Sequence, residues 1–243
     1  MSRYFIHFCY DGTNYHGWQI QPNGNSVQEE LQKALSKVMR MPISVVGAGR
    51  TDAGVHARKM VAHFECDGKI DCQQLAYRLN RIVPRDISVF CVEPVSDDMH
   101  ARFSATKRTY HYYIHTQKNP FLRRYSCELH YPLDFEAMNK AASHLLEVSD
   151  FGSFCKSHTD VKTTLCNVTE AVWIKDTDSS WHFRISANRF LRNMVRAVVG
   201  TLIDVGRHRV SLDEFDRIVS EGSRSSAGES MPAHALFLEN IEY

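Results

Sequence analysis

The chain has 243 residues, room for one large domain or two of ordinary size, and its 43% hydrophobic and 23% charged residues are those of a globular protein with a sizeable core. No apolar run approaches the length of a membrane helix, and a net charge of +1 does not by itself announce a nucleic-acid partner. Seven cysteines, at 9, 66, 72, 91, 127, 155 and 166, are odd in number and form no C-x-x-C pair, which argues against a disulfide frame and for small core residues in a reduced, cytoplasmic protein.

Residues 3–9 alternate polar and apolar side chains and predict a strand, without the continuous apolar run of a signal peptide. Ser26-Val-Gln-Glu29 has capping-box spacing and opens a helix to about Arg40, with Val27, Leu31, Ala34, Leu35 and Val38 on one face. Ile43–Val46 and Lys59–Cys66 predict strands, 71–82 a helix behind Asp71, and Ile87–Val92 a further strand. This β-α-β-β-α-β order is that of a ferredoxin-like unit. The second half repeats the order without repeating the sequence. Thr109–Thr116 predicts a strand, Asp134–Glu147 a helix, and Thr164–Lys175 with Trp181–Ala187 a pair of strands. A long apolar helix over 190–205 follows, then a helix at 211–220 opened by Ser211 with Glu214, and a closing strand at Ala235–Glu242. The Ser/Gly-rich segment 221–232 predicts a mobile loop. The expected fold is α+β: two βαββαβ (ferredoxin- or RRM-like) halves, 1–100 and 101–243, joined near 95–103. They are expected to share an extended, mainly antiparallel sheet with a central cleft.

Between the second and third predicted strands lies Gly47-Ala-Gly-Arg-Thr-Asp-Ala-Gly-Val-His-Ala57. Its glycines permit positive φ and close approach to a ligand. They hold Asp52 out of the sheet, with Arg50 two residues away to keep it ionised. The same spacing also suits a structural turn capped by Asp52. Farther on, Lys107 and Arg108 lead into a strand bearing Tyr110, Tyr112 and Tyr113, a combination suited to phosphate plus base stacking and equally to a half-buried strand. On the 190–205 helix, an apolar stripe of Phe190, Leu191, Met194, Val195, Val198 and Leu202 leaves Arg192 and Arg196 one turn apart on the other side. With Arg189, Arg123-Arg124 and Arg207-His208-Arg209 these residues form basic groups that suit a phosphate-binding surface, although each is also an ordinary solvated face. His111 and His115 are four apart on a strand, and there is no cysteine cluster, H-E-x-x-H, P-loop or Rossmann spacing. No metal or nucleotide cofactor is therefore expected.

The string Gly49-Arg-Thr-Asp-Ala-Gly-Val-His-Ala57 resembles the signature of the TruA family of tRNA pseudouridine synthases, in which the Asp is the catalytic nucleophile, here Asp52. Three further motifs resemble the family in order. Asp11-Gly-Thr-Asn-Tyr-His-Gly-Trp-Gln19 is similar to its N-terminal run. Arg108-Thr-Tyr110-His-Tyr112 matches the pattern supplying the active-site tyrosine, so the resemblance implies that Tyr110 packs against the target uracil. Phe190-Leu-Arg-Asn-Met-Val-Arg196 with Gly200 resembles the third motif, whose arginine, here Arg196, pairs with the aspartate. Arg192-Asn193 departs from it. The closing segment resembles the family's last strand, with its usual Pro-Pro and Gly-Leu reduced to Pro232-Ala-His-Ala-Leu236, and Leu236 stands where an apolar residue lines the uracil pocket.

The resemblance implies isomerisation of uridine to pseudouridine in the tRNA anticodon stem-loop, at positions 38 to 40, by a homodimer without cofactor or metal. Asp52 is then catalytic, Tyr110, Arg50, Arg196 and Leu236 bind substrate, and Lys107, Arg108, Arg123, Arg124 and Arg192 contact RNA. A non-catalytic RNA-binding protein with two RRM-like halves would account for the basic groups and tyrosines. It gives no reason for the Arg-Thr-Asp turn, because a buried carboxylate repels phosphate.

Overall fold

The computed structural model describes residues 1–156 and 161–243, which form nine strands and five α-helices. The chain divides into two compact units, residues 1–106 with 238–243 and residues 107–237.

The first unit contains β1 (Ser2–Tyr10), α1 (Val27–Met39), β2 (Val46–Gly47), β3 (His56–Cys66), α2 (Cys72–Asn80) and β4 (Ile87–Val95). β1 lies between β3 and β4, antiparallel to both, and β2 runs antiparallel to β3. α1 starts where Ser26 Oγ accepts the Glu29 N–H, and it buries Val27, Leu31, Ala34 and Leu35. The cap is one-sided, because the Glu29 carboxylate turns to Lys33 (2.8 Å) rather than back to Ser26.

The strand expected at Ile43–Val46 shrinks to Val46–Gly47, and the hydrogen bonds explain why. Ser36 Oγ accepts from Ile43 N (2.9 Å), Gln32 Oε1 accepts from Val45 N (3.1 Å), and Gln28 Nε2 donates to Val45 O (2.9 Å). Polar side chains of α1 satisfy this backbone in place of a neighbouring strand, while Ile43 and Val45 still bury their side chains. The last residues of the chain also belong to this unit. Tyr243 OH donates to Ala101 O (2.7 Å), Lys59 Nζ donates to Asn240 Oδ1 (2.9 Å), and the Tyr243 ring lies 5.0 Å from that of Phe5.

The second unit contains β5 (Lys107–His115), β6 (Cys127–Glu128), α3 (Phe135–His144), β7 (Val168–Lys175), β8 (Ser180–Ala187), α4 (Met194–Gly206) and α5 (Leu212–Glu221). β8 lies between β5 and β7, antiparallel to both, and the two-residue β6 runs parallel to β5. Tyr112, Ile114, Phe183, Ile185 and Trp173 are buried together with Met138, Ala142, Val198 and Leu202 of α3 and α4. α5 opens with a reciprocal capping box between Ser211 and Glu214. β9 (Leu236–Glu242) follows a single 3₁₀ turn over Ala233–Ala235.

One device recurs in both units. Asn80, at the end of α2, donates to Val89 O and accepts from Val89 N on β4, both at 2.8 Å. Asn139 of α3 treats Trp173 of β7 in the same way, at 3.2 and 2.7 Å. Each asparagine covers part of a strand edge that would otherwise offer bare backbone groups to another chain.

Candidate active site

The Asp52 turn is built from behind by the loop that follows β1. Asp52 O accepts from Val55 N (3.1 Å), closing a turn whose third residue, Gly54, has φ +78°. A side chain at that position would be strained, which accounts for the glycine. Gly17, at φ +92°, brings the loop against the turn: a Cβ there would sit 2.3 Å from Thr51 O. A Cβ on Gly12 would lie 2.0 Å from Val55 O, and one on Gly47 would enter the Trp18 ring. Trp18 N donates to Thr51 O (3.3 Å), and the hydroxyls of Thr51 and Tyr10 share a buried 2.8 Å hydrogen bond. His56, fully buried, accepts the Gly12 N–H at Nδ1 (3.0 Å) and stands 3.1 Å from Asp11 Oδ1. Tyr15 OH donates to Asp86 Oδ1 (2.5 Å), and burial followed by that carboxylate pushes the phenol well above its usual range.

The result is a half-buried carboxylate on a backbone fixed by Tyr10, Gly12, Gly17, Trp18 and His56. By its residues alone the Asp11–Gln19 run reads only as an aromatic, glycine-containing loop. Its family resemblance marked the run but gave no sign that it braces the Asp52 turn. Arg50, in contrast, is exposed and makes no ion pair among the described residues, so the charge pairing with Asp52 expected from their spacing is not formed. Its long side chain lies in water, where such a pair contributes little.

In the second unit, Tyr110 lies opposite Ile185 on β8 and is 9% exposed. Its ring meets Phe190 edge-on, with centroids 5.0 Å apart and planes at 84°. Tyr112 is fully buried and donates to Pro232 O (3.0 Å), so it offers no face to a base. Tyr113 packs edge-on against Phe237 (5.3 Å). An open platform of three stacking tyrosines is therefore absent from β5.

The helix expected over 190–205 begins only at Met194. Asn193, its N-cap, has φ +67°, and this left-handed residue breaks the helical path after Phe190 and Leu191. Arg192 therefore lies in the preceding turn, not one helical turn from Arg196. Asn193 Nδ2 donates to Ser230 Oγ (2.5 Å), giving the departure from the family motif a structural role. Arg196, half-buried in the first turn of α4, donates from Nε to Met231 O (2.5 Å), and Met231 N donates to Arg196 O (3.1 Å).

Segment 221–232, expected to be mobile, is thus tied to α4. Gly228 N donates to Thr201 Oγ1 (2.9 Å), Arg224 binds Ala227 O, Gly228 O and Ser230 Oγ, and a Cβ on Gly200 would strike Glu229 O at 1.9 Å. Leu236 is buried at the start of β9.

The basic groups divide into two kinds. Arg207 lies 3.9 Å above the Tyr131 ring, Arg209 pairs with Asp204 (3.9 Å), and His208 approaches Asp134 (3.5 Å), so this trio serves the end of α4. Arg123, Arg124 and Arg192 are exposed, Lys107 is half-exposed, and Arg108 Nη1 donates to Asn188 O (2.7 Å). Among the described residues, no group of three or more His, Cys, Asp or Glu side chains is placed to hold a metal ion. The His111 ring packs at a tilt against that of His182 (4.6 Å), and buried His115 bonds Ser126 (2.9 Å). No helix among the described residues is long and apolar enough to cross a membrane, and none of the seven cysteines is in a disulfide.

A family model described as tRNA pseudouridine synthase matches residues 7–104 and 141–243, which hold Asp52, Arg196 and Leu236. Proteins named tRNA pseudouridine synthase A align with nearly all of the chain or the whole of it. The one from Bacteroides fragilis is 56% identical over 244 residues, covering 100% of this chain and 97% of its own. That of Porphyromonas gingivalis is 51% identical over 246 residues (100% and 98%), and that of Bacillus subtilis 40% over 238 residues (96% of each). Tyr110 falls outside the segments matched by the family model but inside these alignments. The chain belongs to the TruA family of tRNA pseudouridine synthases.

Proposed function

We propose that Asp52 is the carboxylate with which this chain converts uridine to pseudouridine in tRNA, at positions 38 to 40 of the anticodon stem-loop. The observation that carries the reading is the Asp52 turn itself: a half-buried acid presented on a backbone locked by the Tyr10–Thr51 hydrogen bond and the close approach of Gly17. A position fixed before substrate arrives avoids reorganisation during the reaction.

The target base must first leave the stack, since C1′ and C5 are shielded inside a helix. The carboxylate assists rupture of the C1′–N1 bond, the detached uracil turns, C5 bonds to C1′, and the C5 proton departs as N1 regains one. Nothing is oxidised or reduced and every atom of the uridine is kept, so the reaction itself calls for no redox cofactor or group donor. Tyr110 holds the uracil face and its hydroxyl assists loss of the C5 proton, Leu236 supplies an apolar wall, and Arg196 and Arg50 supply positive charge for the substrate. Lys107, Arg108, Arg123, Arg124 and Arg192 bind phosphates. The protein works as a cytoplasmic homodimer.

The test is Asp52→Asn, which preserves shape but supplies neither a nucleophile nor a base. Tritium release from tRNA carrying C5-labelled uridine is expected to vanish while tRNA affinity stays within about twofold. Substantial release by the variant would remove Asp52 from its role.

A further inference from the structure

α1 and α2 both run out into arginine. α1 closes at Met39 with Arg40 in the left-handed region, and α2 closes at Asn80 with Arg81 as its cap. Lys37, Arg40, Arg78 and Arg81 line one open cavity of about 260 Å³, together with Val38 and Ile82. No carboxylate lines it, and none of the four cations makes an ion pair or side-chain hydrogen bond among the described residues. The acids of these helices lie at their other ends: Glu29 and Glu30 in the first turn of α1, and Asp71 at the N-cap of α2.

The partial negative charge of a helix C-terminus stabilises a nearby cation, and that accounts for one basic residue at each end. It does not account for four around one cavity, where like charges repel. The chain has 28 acidic residues against 29 Lys and Arg, so carboxylates were available to neutralise them. Three of the four are arginines, whose planar forks fit pairs of phosphate oxygens. None of the lining residues belongs to the Asp52 turn or to the loop behind it.

We propose that this cavity binds a backbone phosphate of the tRNA, as an anchoring point separate from the residues that act on the target uridine. The inference rests on the tRNA reading above for the source of the phosphate, while the anionic chemistry rests on the cavity alone.

The test compares wild type with Arg40→Gln/Arg81→Gln and with the charge-retaining Arg40→Lys/Arg81→Lys, each checked for an unchanged melting temperature. Affinity for full-length tRNA is measured across a salt series. Neutralising one phosphate contributes a slope of about −0.7 to −0.9 in log K against log salt, so the Gln variant is expected to lose about that much slope and bind about fivefold more weakly near 0.15 M salt. The Lys variant is expected to retain most of both. In a second arm, inorganic phosphate is titrated into each protein. Phosphate binding by wild type alone, with tRNA slope and affinity equal in all three, would overturn the RNA assignment in favour of a free anion. Equal slopes and affinities with no phosphate binding would overturn the site. Pseudouridine formation by wild type on the same tRNA is measured in parallel, so failure of the catalytic reading is distinguishable from failure of the anchor.

Discussion

Thr51 directs its hydroxyl to Tyr10 across 2.8 Å, inside the first unit and one residue before Asp52. Tyr10→Phe leaves that buried Thr hydroxyl without this partner, at a cost of about 1–3 kcal/mol. If the bond positions the acid, single-turnover conversion of bound tRNA is expected to slow by more than the melting temperature alone implies. Thr51→Val placed on Tyr10→Phe removes both polar groups and should recover stability without recovering rate. A stability loss with wild-type turnover would reduce the pair to scaffold. At this scale, the sequence singles out Asp52 because its motif is long and specific, and Tyr110 only through its family resemblance, since a basic approach into an aromatic strand suits Tyr112 and Tyr113 equally. Tyr10, Gly17 and Trp18 were not legible as support, because their role depends on a loop folding back onto a turn far along the chain, which no local pattern records. Arg50 misled for the opposite reason: adjacency in sequence suggested a pair that the exposed side chain does not make.

Among the elements, periodicity placed every helix and nearly every strand, and the differences have local causes. The apolar pattern of α4 runs on through Phe190 and Leu191, but one left-handed residue, Asn193, ends the helix there. β2 is shortened because Ser36, Gln32 and Gln28 satisfy the backbone beside it. β6 is two residues long, below what any alternation can signal. The edge-covering asparagines, Asn80 and Asn139, are single polar residues on helices and carry no pattern at all.

β3 also holds a titratable group in an acid-sensitive position. His63 is buried, accepts the Ala101 N–H at Nδ1 (3.1 Å), and lies 4.6 Å from the His100 ring. Burial first, then the charges of His100 and Arg3 and against the opposing Glu65, push its pKa down to about 4. An unfolded histidine titrates near 6.5, so between about 6.5 and about 4 the unfolded chain binds a proton that the folded chain refuses. Stability is therefore expected to fall as pH drops through that window and to be flat with respect to this group above about 7. Urea midpoints at pH 7.5 and 5 should differ less in His63→Gln, whose amide oxygen can still accept from Ala101. An equal difference in both proteins would assign the acid sensitivity to other groups.

For the molecule as a whole, a net charge of +1 conceals how its cations are used. Arg207 and Arg209 are engaged at the end of α4, whereas Arg123 and Arg124 are exposed in the turn that follows β5. Replacing Arg123 and Arg124 by Gln is expected to flatten the salt dependence of tRNA binding by about 0.7–0.9 for each phosphate that is no longer neutralised. An unchanged slope would take this pair off the RNA surface. The α+β class was legible from the element order. That the last residues, from Leu238, pack with the first unit was not, because they meet β3 and the 101–106 segment, more than 130 residues earlier in the chain.

The most direct test of the account maps pseudouridine, by chemical derivatisation and primer extension, in an unmodified tRNA transcript incubated with purified wild-type protein and, in parallel, with Asp52→Asn. Wild type is expected to give pseudouridine within positions 38 to 40 and nowhere else, with none from the variant. Pseudouridine formed equally by both proteins, or a transcript left unmodified by wild type under conditions in which it binds, would contradict the claim that Asp52 isomerises uridine in the anticodon stem-loop.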